Sequence, residues 1–278
     1  MPTFLGTLTL DEQTNGTTIE EAGAALIAKH SIPEVVVPIK TGKRIATNSA
    51  VVLENAAHGF VRPNILDVKL GVRLWADDAP PEKKARFDKV TEETTHRDLG
   101  FRVAGMRVWQ GHDTNGKDID EEGYKIYDKN YGRFSIQKDN VHEAFRDFIF
   151  TESAGIDEEL GKLVAQAFLA DVRRIQAVLE AQESRMFSSS LLFVFEGDGA
   201  ALRLVMEEAS RSPATLVNGD DENSEEDEDD AIGPKIYAVK VIDFAHAEWT
   251  PGMGPDENSL LGVRSVANIL EDLSTTCN

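Results

Sequence analysis

The sequence predicts an α+β fold in which antiparallel strand pairs carry helices on the outside. Three observations lead there. Short apolar runs of strand composition recur along the chain, at residues 50–54, 63–71, 100–109, 191–195 and 235–244. Between them stand three segments of helical pattern, at 80–91, 158–185 and 257–273. The length of 278 residues, 41% of them hydrophobic, suffices for one large domain or for two lobes sharing a core.

Taken in order, Thr17 to His30 reads as a helix, with Thr18 as cap and Glu20 and Glu21 in its first turn. Glu34 to Ile39 and Ala50 to Glu54 read as strands, followed by Pro63 to Gly71 and then Val72 to Trp75. Pro80-Pro81 opens a helix running to about Thr91, because a proline in the first turn gives up an N–H that has no intrahelical partner anyway. Gly100 to Trp109 has strand composition, and a polar stretch from Gly111 to Gly123 precedes Tyr131-Gly132-Arg133. The longest helix, Glu158 to about Arg185, presents Leu160, Leu163, Val164, Ala167, Phe168, Ile175, Val178 and Leu179 as its apolar stripe. Leu191 to Phe195 and Lys235 to Phe244 read as buried strands. A closing helix from Glu257 to Leu273 turns Val266, Ile269, Leu270 and Leu273 inward.

Charge narrows the function classes. The net charge of -20 argues against general affinity for nucleic acid or anionic membrane. Residues 220–230 carry Asp220, Asp221, Glu222, Glu225, Glu226, Asp227, Glu228, Asp229 and Asp230, a self-repelling tract with no apolar surface to bury. The expectation is a disordered loop over about 218–232 joining two strands of one sheet. No run of 18 apolar residues and no secretory signal are visible, and one cysteine, Cys277, excludes an internal disulfide.

The chemistry-bearing residues lie at four places. In Pro63-Asn64-Ile65-Leu66-Asp67-Val68-Lys69-Leu70-Gly71 an acid and an ammonium stand two positions apart, hence on one face of a strand. Such a pair either meets a ligand or forms a structural ion pair. Asp243 ends an apolar strand, where it either binds Mg²⁺ in phosphoryl transfer or caps the turn before His246. The 82–89 segment carries Lys83, Lys84, Arg86 and Lys89, which form either a solvated face or a pocket for phosphates bearing close to two charges each. Ser188-Ser189-Ser190 either cap the exit of the long helix or face a metal. There is no P-loop, dinucleotide fingerprint or nucleophile elbow, and no protein-kinase H-R-D or D-F-G triplet.

The spacing P-x-x-x-D-x-K-x-G over 63–71 resembles the signature of the inositol polyphosphate kinases. The other segments that match stand in the order and spacing of that family: Phe4 to Leu8, Val52 to Asn55, Gly100 to Arg102, Gly105-Met106, Tyr131 to Arg133, Ser189 to Leu192 and Ile242 to His246. The chain is most similar to the fungal multikinase branch.

The resemblance implies a two-lobed fold related to protein kinases, with residues 1–57 as a partial N-lobe and hinge and 58–278 as the C-lobe. It implies an ATP- and Mg²⁺-dependent kinase acting on inositol tris- and tetrakisphosphates, in nucleus and cytoplasm. Glu54 and Ala56 would read the adenine edge, and Asp67 would bind the ribose hydroxyls or act as a base near the accepting hydroxyl. Lys69 would contact substrate and the transferred group. Lys83, Lys84, Arg86 and His246 would bind substrate, and Asp243 would hold the metal and so serve ATP binding.

Two departures from the family pattern are Ser188, where glycine is usual, and Asp98, where a small residue is usual. The family also places a lysine-bearing strand and a helix ahead of Phe4, which this sequence lacks, so impaired turnover is the expectation. The alternative reading is a non-catalytic nuclear protein that docks a basic partner such as a transcription factor through its acidic tract.

Overall fold

A computed structural model describes residues 1–9, 49–112, 116, 118–211, 235–244 and 246–275. The expected helix at 17–30, the expected strand at 34–39 and the acidic tract lie outside these residues. The chain divides into two compact units, residues 2–55 and residues 56–278.

In the smaller unit, β1 (Phe4–Thr9) pairs antiparallel with β2 (Ser49–Leu53). The Glu54 backbone N–H donates to the Thr3 carbonyl at 2.8 Å. Its carboxylate accepts from the Thr3 hydroxyl at 2.9 Å.

The larger unit is built on β3 (Pro63–Leu70), β4 (Phe101–Trp109), β5 (Tyr124–Tyr127), β7 (Ser190–Glu196) and β8 (Tyr237–Ile242). They form one antiparallel sheet in the order β5-β4-β3-β7-β8. Between β6 (Ser184–Met186) and β9 (Ala247–Trp249) runs a second, two-stranded ladder.

Strand alternation gives the sheet two unlike faces. Leu66, Val68 and Leu70 point into the core together with Phe101, Val103, Leu191, Phe193 and Phe195. Against that face pack α3 (Val141–Ile149), α4 (Glu158–Ala181) and α6 (Glu257–Thr275). The centre of the packing is aromatic. Phe168 lies edge-on to Phe193 at 5.1 Å, and Phe148 edge-on to Phe195 at 5.3 Å, the offset geometry that ring quadrupoles favour.

Three expectations need correction. Val72 to Trp75 is not a strand. Gly71, at φ 97°, ends β3, and the Val72 and Arg73 N–H groups donate to Asn258 Oδ1 on α6 at 2.9 and 2.8 Å, not to a neighbouring strand. The long helix stops at Ala181, because Gln182 is extended and Ser184–Met186 pairs with β9. Leu163 and Val178 face solvent, since the buried seam of α4 runs along Leu160, Val164, Phe168 and Val172, four residues apart.

Among the described residues, helical segments that were not anticipated include α2 (His96–Leu99), α3, α5 (Gly199–Arg211), a π-turn at Tyr131–Ser135 and a 3-10 turn at Glu152–Ala154. Among the described residues no helix is long and apolar enough to cross a membrane.

Candidate active site

The second face of the sheet carries the chemistry. Asp67 and Lys69 alternate away from the core side chains of β3. Lys69 stands in register with Arg102 on β4 and with Ser190 on β7, and Ser190 stands in register with Ile242 on β8. A single row across four strands therefore brings residues remote in sequence to one spot. Ser188 lies just ahead of β7 and Asp243 just past the end of β8.

At that spot Lys69 Nζ donates to Asp243 Oδ2 and to the Ser188 carbonyl, each at 2.8 Å. The ion pair is partly open to solvent, with the Lys69 side chain 22% and the Asp243 side chain 52% exposed. Ser188 and Asp243 both have left-handed backbones, at φ 60° and 68°. For non-glycine residues that conformation costs about 1–2 kcal/mol, so the surrounding bonds have to hold it. The expected glycine preference at position 188 has its physical reason here. The Ser188 hydroxyl supplies one such bond by donating to the Leu74 carbonyl at 2.9 Å. It does not cap a helix.

Asp67 lies deeper. Burial pushes its carboxyl above the ordinary aspartate range, and the Asp243 charge adds to this. The nearby Ser190 side chain and the cations Lys69 and Arg102 oppose the shift without cancelling it. Asp67 Oδ1 has no hydrogen-bond partner among the described residues. A half-desolvated acid beside a fixed ammonium is the kind of group that accepts a hydroxyl's hydrogen bond.

Helix α1 (Pro81–Glu92) supplies the cations, and the structure divides them. Lys83 Nζ lies 3.3 Å from His246 Nε2, so these two expected substrate contacts meet. Lys84 turns the other way, donating to the Asp77 carbonyl at 2.8 Å with its ammonium 4.7 Å from the centre of the Trp75 ring. Arg86 lies along Phe87 at 5.2 Å and is exposed. Lys84 is thus drawn away from His246, while Arg86 shares the Phe87 ring with Lys83, whose ammonium lies 6.0 Å from it. Glu54 is engaged with Thr3 as described, and Ala56 is buried at the start of the larger unit.

For a metal, the donor set fits a hard cation. The Asp243 carboxylate is half exposed, and Asp67, close enough to feel its charge, supplies a second carboxylate. Among the described residues no group of three or more His, Cys, Asp or Glu side chains could hold a metal ion. A divalent cation held here would take at most one or two carboxylates from these residues and the rest of its shell from other oxygens.

Sequence reasoning did not single out Arg102 or His96 as site residues. Arg102 could have been found by its strand phase, since it alternates with the core residues Phe101 and Val103. His96 is buried beneath the row, its Nδ1 2.7 Å from the Gly71 carbonyl.

Comparison with known proteins agrees with this arrangement. A family model described as inositol polyphosphate kinase matches residues 50–271. The inositol polyphosphate multikinase of Saccharomyces cerevisiae is 32% identical, over 97% of this chain and 81% of its own. Human inositol hexakisphosphate kinase 1 is also 32% identical over 80% of this chain, which spans only 52% of that longer relative. A crystal structure of the Saccharomyces cerevisiae inositol phosphate multikinase with ADP and Mn²⁺ superposes with a TM-score of 0.64. It shares 29% identity and covers 98% of this chain and 88% of the solved one. The match runs through the strand that carries Asp67 and Lys69 and the strand end that carries Asp243, and the chain belongs to the inositol polyphosphate kinase family.

Proposed function

We propose that this chain transfers the γ-phosphoryl group of ATP to hydroxyls of inositol tris- and tetrakisphosphates. The observation that carries the reading is the fixed ammonium of Lys69, set between Asp243 and the Ser188 carbonyl with Asp67 on the same face.

A lysine has three N–H donors. Two are committed, to Ser188 and Asp243, and the third is left for an oxygen of the transferring group. Phosphoryl transfer needs little covalent participation from the protein, so a pre-set charge at that oxygen is the main contribution such a residue makes. Asp67, with its raised pKa, serves the accepting hydroxyl or the ribose. Lys83 and His246 bind a substrate phosphate at the N-terminal end of α1. Asp243 would hold Mg²⁺, with Asp67 Oδ1 close by; when bound, the ion neutralises charge on the ATP phosphates.

The test is transfer of radiolabel from γ-labelled ATP to a panel of inositol phosphates, with Mg²⁺ and with Mn²⁺. Label should appear in higher phosphates of inositol tris- and tetrakisphosphate. Lys69→Ala and Asp243→Ala should each lower turnover at least about a hundredfold while the fold, read by circular dichroism, is kept. Wild-type turnover in either variant ends the proposal.

A further inference from the structure

We propose that Ser188 is a positioning residue for Lys69, its carbonyl holding the ammonium and its hydroxyl holding the carbonyl. The inference rests on the kinase reading for its kinetic arm and on geometry alone for the rest.

Four observations converge. The Ser188 carbonyl accepts from Lys69 Nζ at 2.8 Å, across 119 positions of sequence. The residue is left-handed, at φ 60°, which re-aims its peptide relative to the extended strand that follows. Its Oγ is tied to the Leu74 carbonyl at 2.9 Å, on the irregular segment that leaves β3. The next residue is also fixed, since the Leu70 N–H donates to the Ser189 carbonyl at 2.8 Å and Ser189 is fully buried.

Asp243 alone does not set the lysine. Its carboxylate is half exposed and is also the oxygen pair on which a divalent cation would sit. A cation there competes with the ammonium for the same oxygens. The Ser188 carbonyl is neutral, carries no such competitor, and keeps Lys69 in place while Asp243 serves the metal. A carbonyl suits this task because it attracts the ammonium without neutralising it.

The side chain and the backbone make opposite demands at this position, and that separates positioning from mere packing. Ser188→Ala keeps the strained left-handed geometry but loses the bond that secures it. Ser188→Gly loses the same bond, yet glycine adopts φ near 60° without penalty. Loss of the hydroxyl as such would make the two variants alike. Control of the carbonyl's aim makes alanine the worse.

The experiment measures kcat and KM for both substrates, together with the rate at which an amine-reactive reagent modifies Lys69, followed by peptide mass spectrometry with and without Mg²⁺. For Ser188→Ala we expect kcat to fall about tenfold with both KM values within about twofold of wild type. Lys69 should be modified several-fold faster than in wild type, most of all with Mg²⁺ present. Ser188→Gly should keep kcat within about threefold and restore slow modification. Equal losses in the two variants, or unchanged Lys69 reactivity in Ser188→Ala, overturn the proposal. If wild type transfers no phosphoryl group, the kinase reading fails and the modification rates still decide the role of Ser188. If Ser188→Ala does not fold, the glycine variant decides: fast modification of its Lys69 counts against the proposal and slow modification supports it.

Discussion

Ser188 and Asp243 lie 55 positions apart, yet among the described residues they are the only non-glycine pair with left-handed backbones, and both accept a hydrogen bond from Lys69 Nζ. Two unfavourable backbone conformations are thus held at the point where one ammonium is fixed. Strain of that kind persists where neighbouring bonds over-determine it, as they do at sites whose geometry has to be set before a ligand arrives.

Asp243→Asn separates charge from conformation at that point. Asparagine tolerates the left-handed region, so the turn after β8 should form. The ion pair and the proposed metal ligand are lost. Turnover should fall at least about a hundredfold while Tm stays within about 2 °C of wild type. A variant that loses turnover only because it unfolds would show the Tm drop and contradict this.

Asp67→Asn should stabilise the protein while disabling it. Burial raises the folded-state pKa of Asp67, so between the unfolded value of 3.8 and that higher value the folded state holds the extra proton. Stability therefore falls as pH rises through this window, and at neutral pH the charged carboxylate is a burden on the fold. Replacing it with a neutral isostere should raise Tm at pH 7 and leave Tm near pH 3 little changed. Turnover should drop by about two orders of magnitude or more. Thermal melts at the two pH values check the sign.

His96 should set part of the acid sensitivity. Burial, helped by the charges of Arg102 and Lys69, pushes its pKa down from 6.5 to about 3, against the Gly71 carbonyl bond that raises it. The unfolded state then binds one more proton than the folded state between those values. Stability is complete above about pH 6.5 and is lost as pH falls towards 3, by up to about 1.4 kcal/mol per pH unit from this group. His96→Asn, which can keep a donor towards Gly71, should flatten the slope of unfolding free energy between pH 5 and 6.5 by about that amount. An unchanged slope refutes the assignment.

Lys83→Ala should act on substrate affinity. Its ammonium meets His246 at 3.3 Å, whereas Lys84 is already committed to the Asp77 carbonyl and Trp75. KM for the inositol phosphate should rise about tenfold or more in Lys83→Ala with KM for ATP unchanged. Arg86→Ala should have a small effect. The reverse ranking would show that α1 presents a different face to substrate.

Much of this arrangement is legible in the sequence because it follows short-range rules. The alternation of β3 separates Asp67 and Lys69 from Leu66, Val68 and Leu70 without reference to any other residue. The pattern of α4 and α6 gives their burial, although Leu163 and Val178 show that a stripe read too broadly admits flanking positions. What is not legible depends on distant partners. Val72 to Trp75 has strand composition, but its backbone is claimed by Asn258, 186 positions from Val72. The left-handed turn at Ser188 has no local signal, since serine does not ask for it. The opposite aims of Lys84 and Lys83 depend on Asp77, Trp75 and His246, none of which lies in the helix.

The ladder between β3 and β4 slips by one residue between Asp67 and Val68, so Gly105 opposes Asp67 while Arg102 opposes Lys69. Phe101, Val103, Met106 and Val108 all reach the core only because that extra residue resets the alternation midway along β4. The extra residue, Ala104, is therefore the one position of the strand whose presence the core does not require. Trimming one residue from Val103 to Gly105 would remove the slip and leave Phe101, Val103, Met106 and Val108 in one unbroken alternation, whereas an added residue there would put the two halves of the strand out of phase.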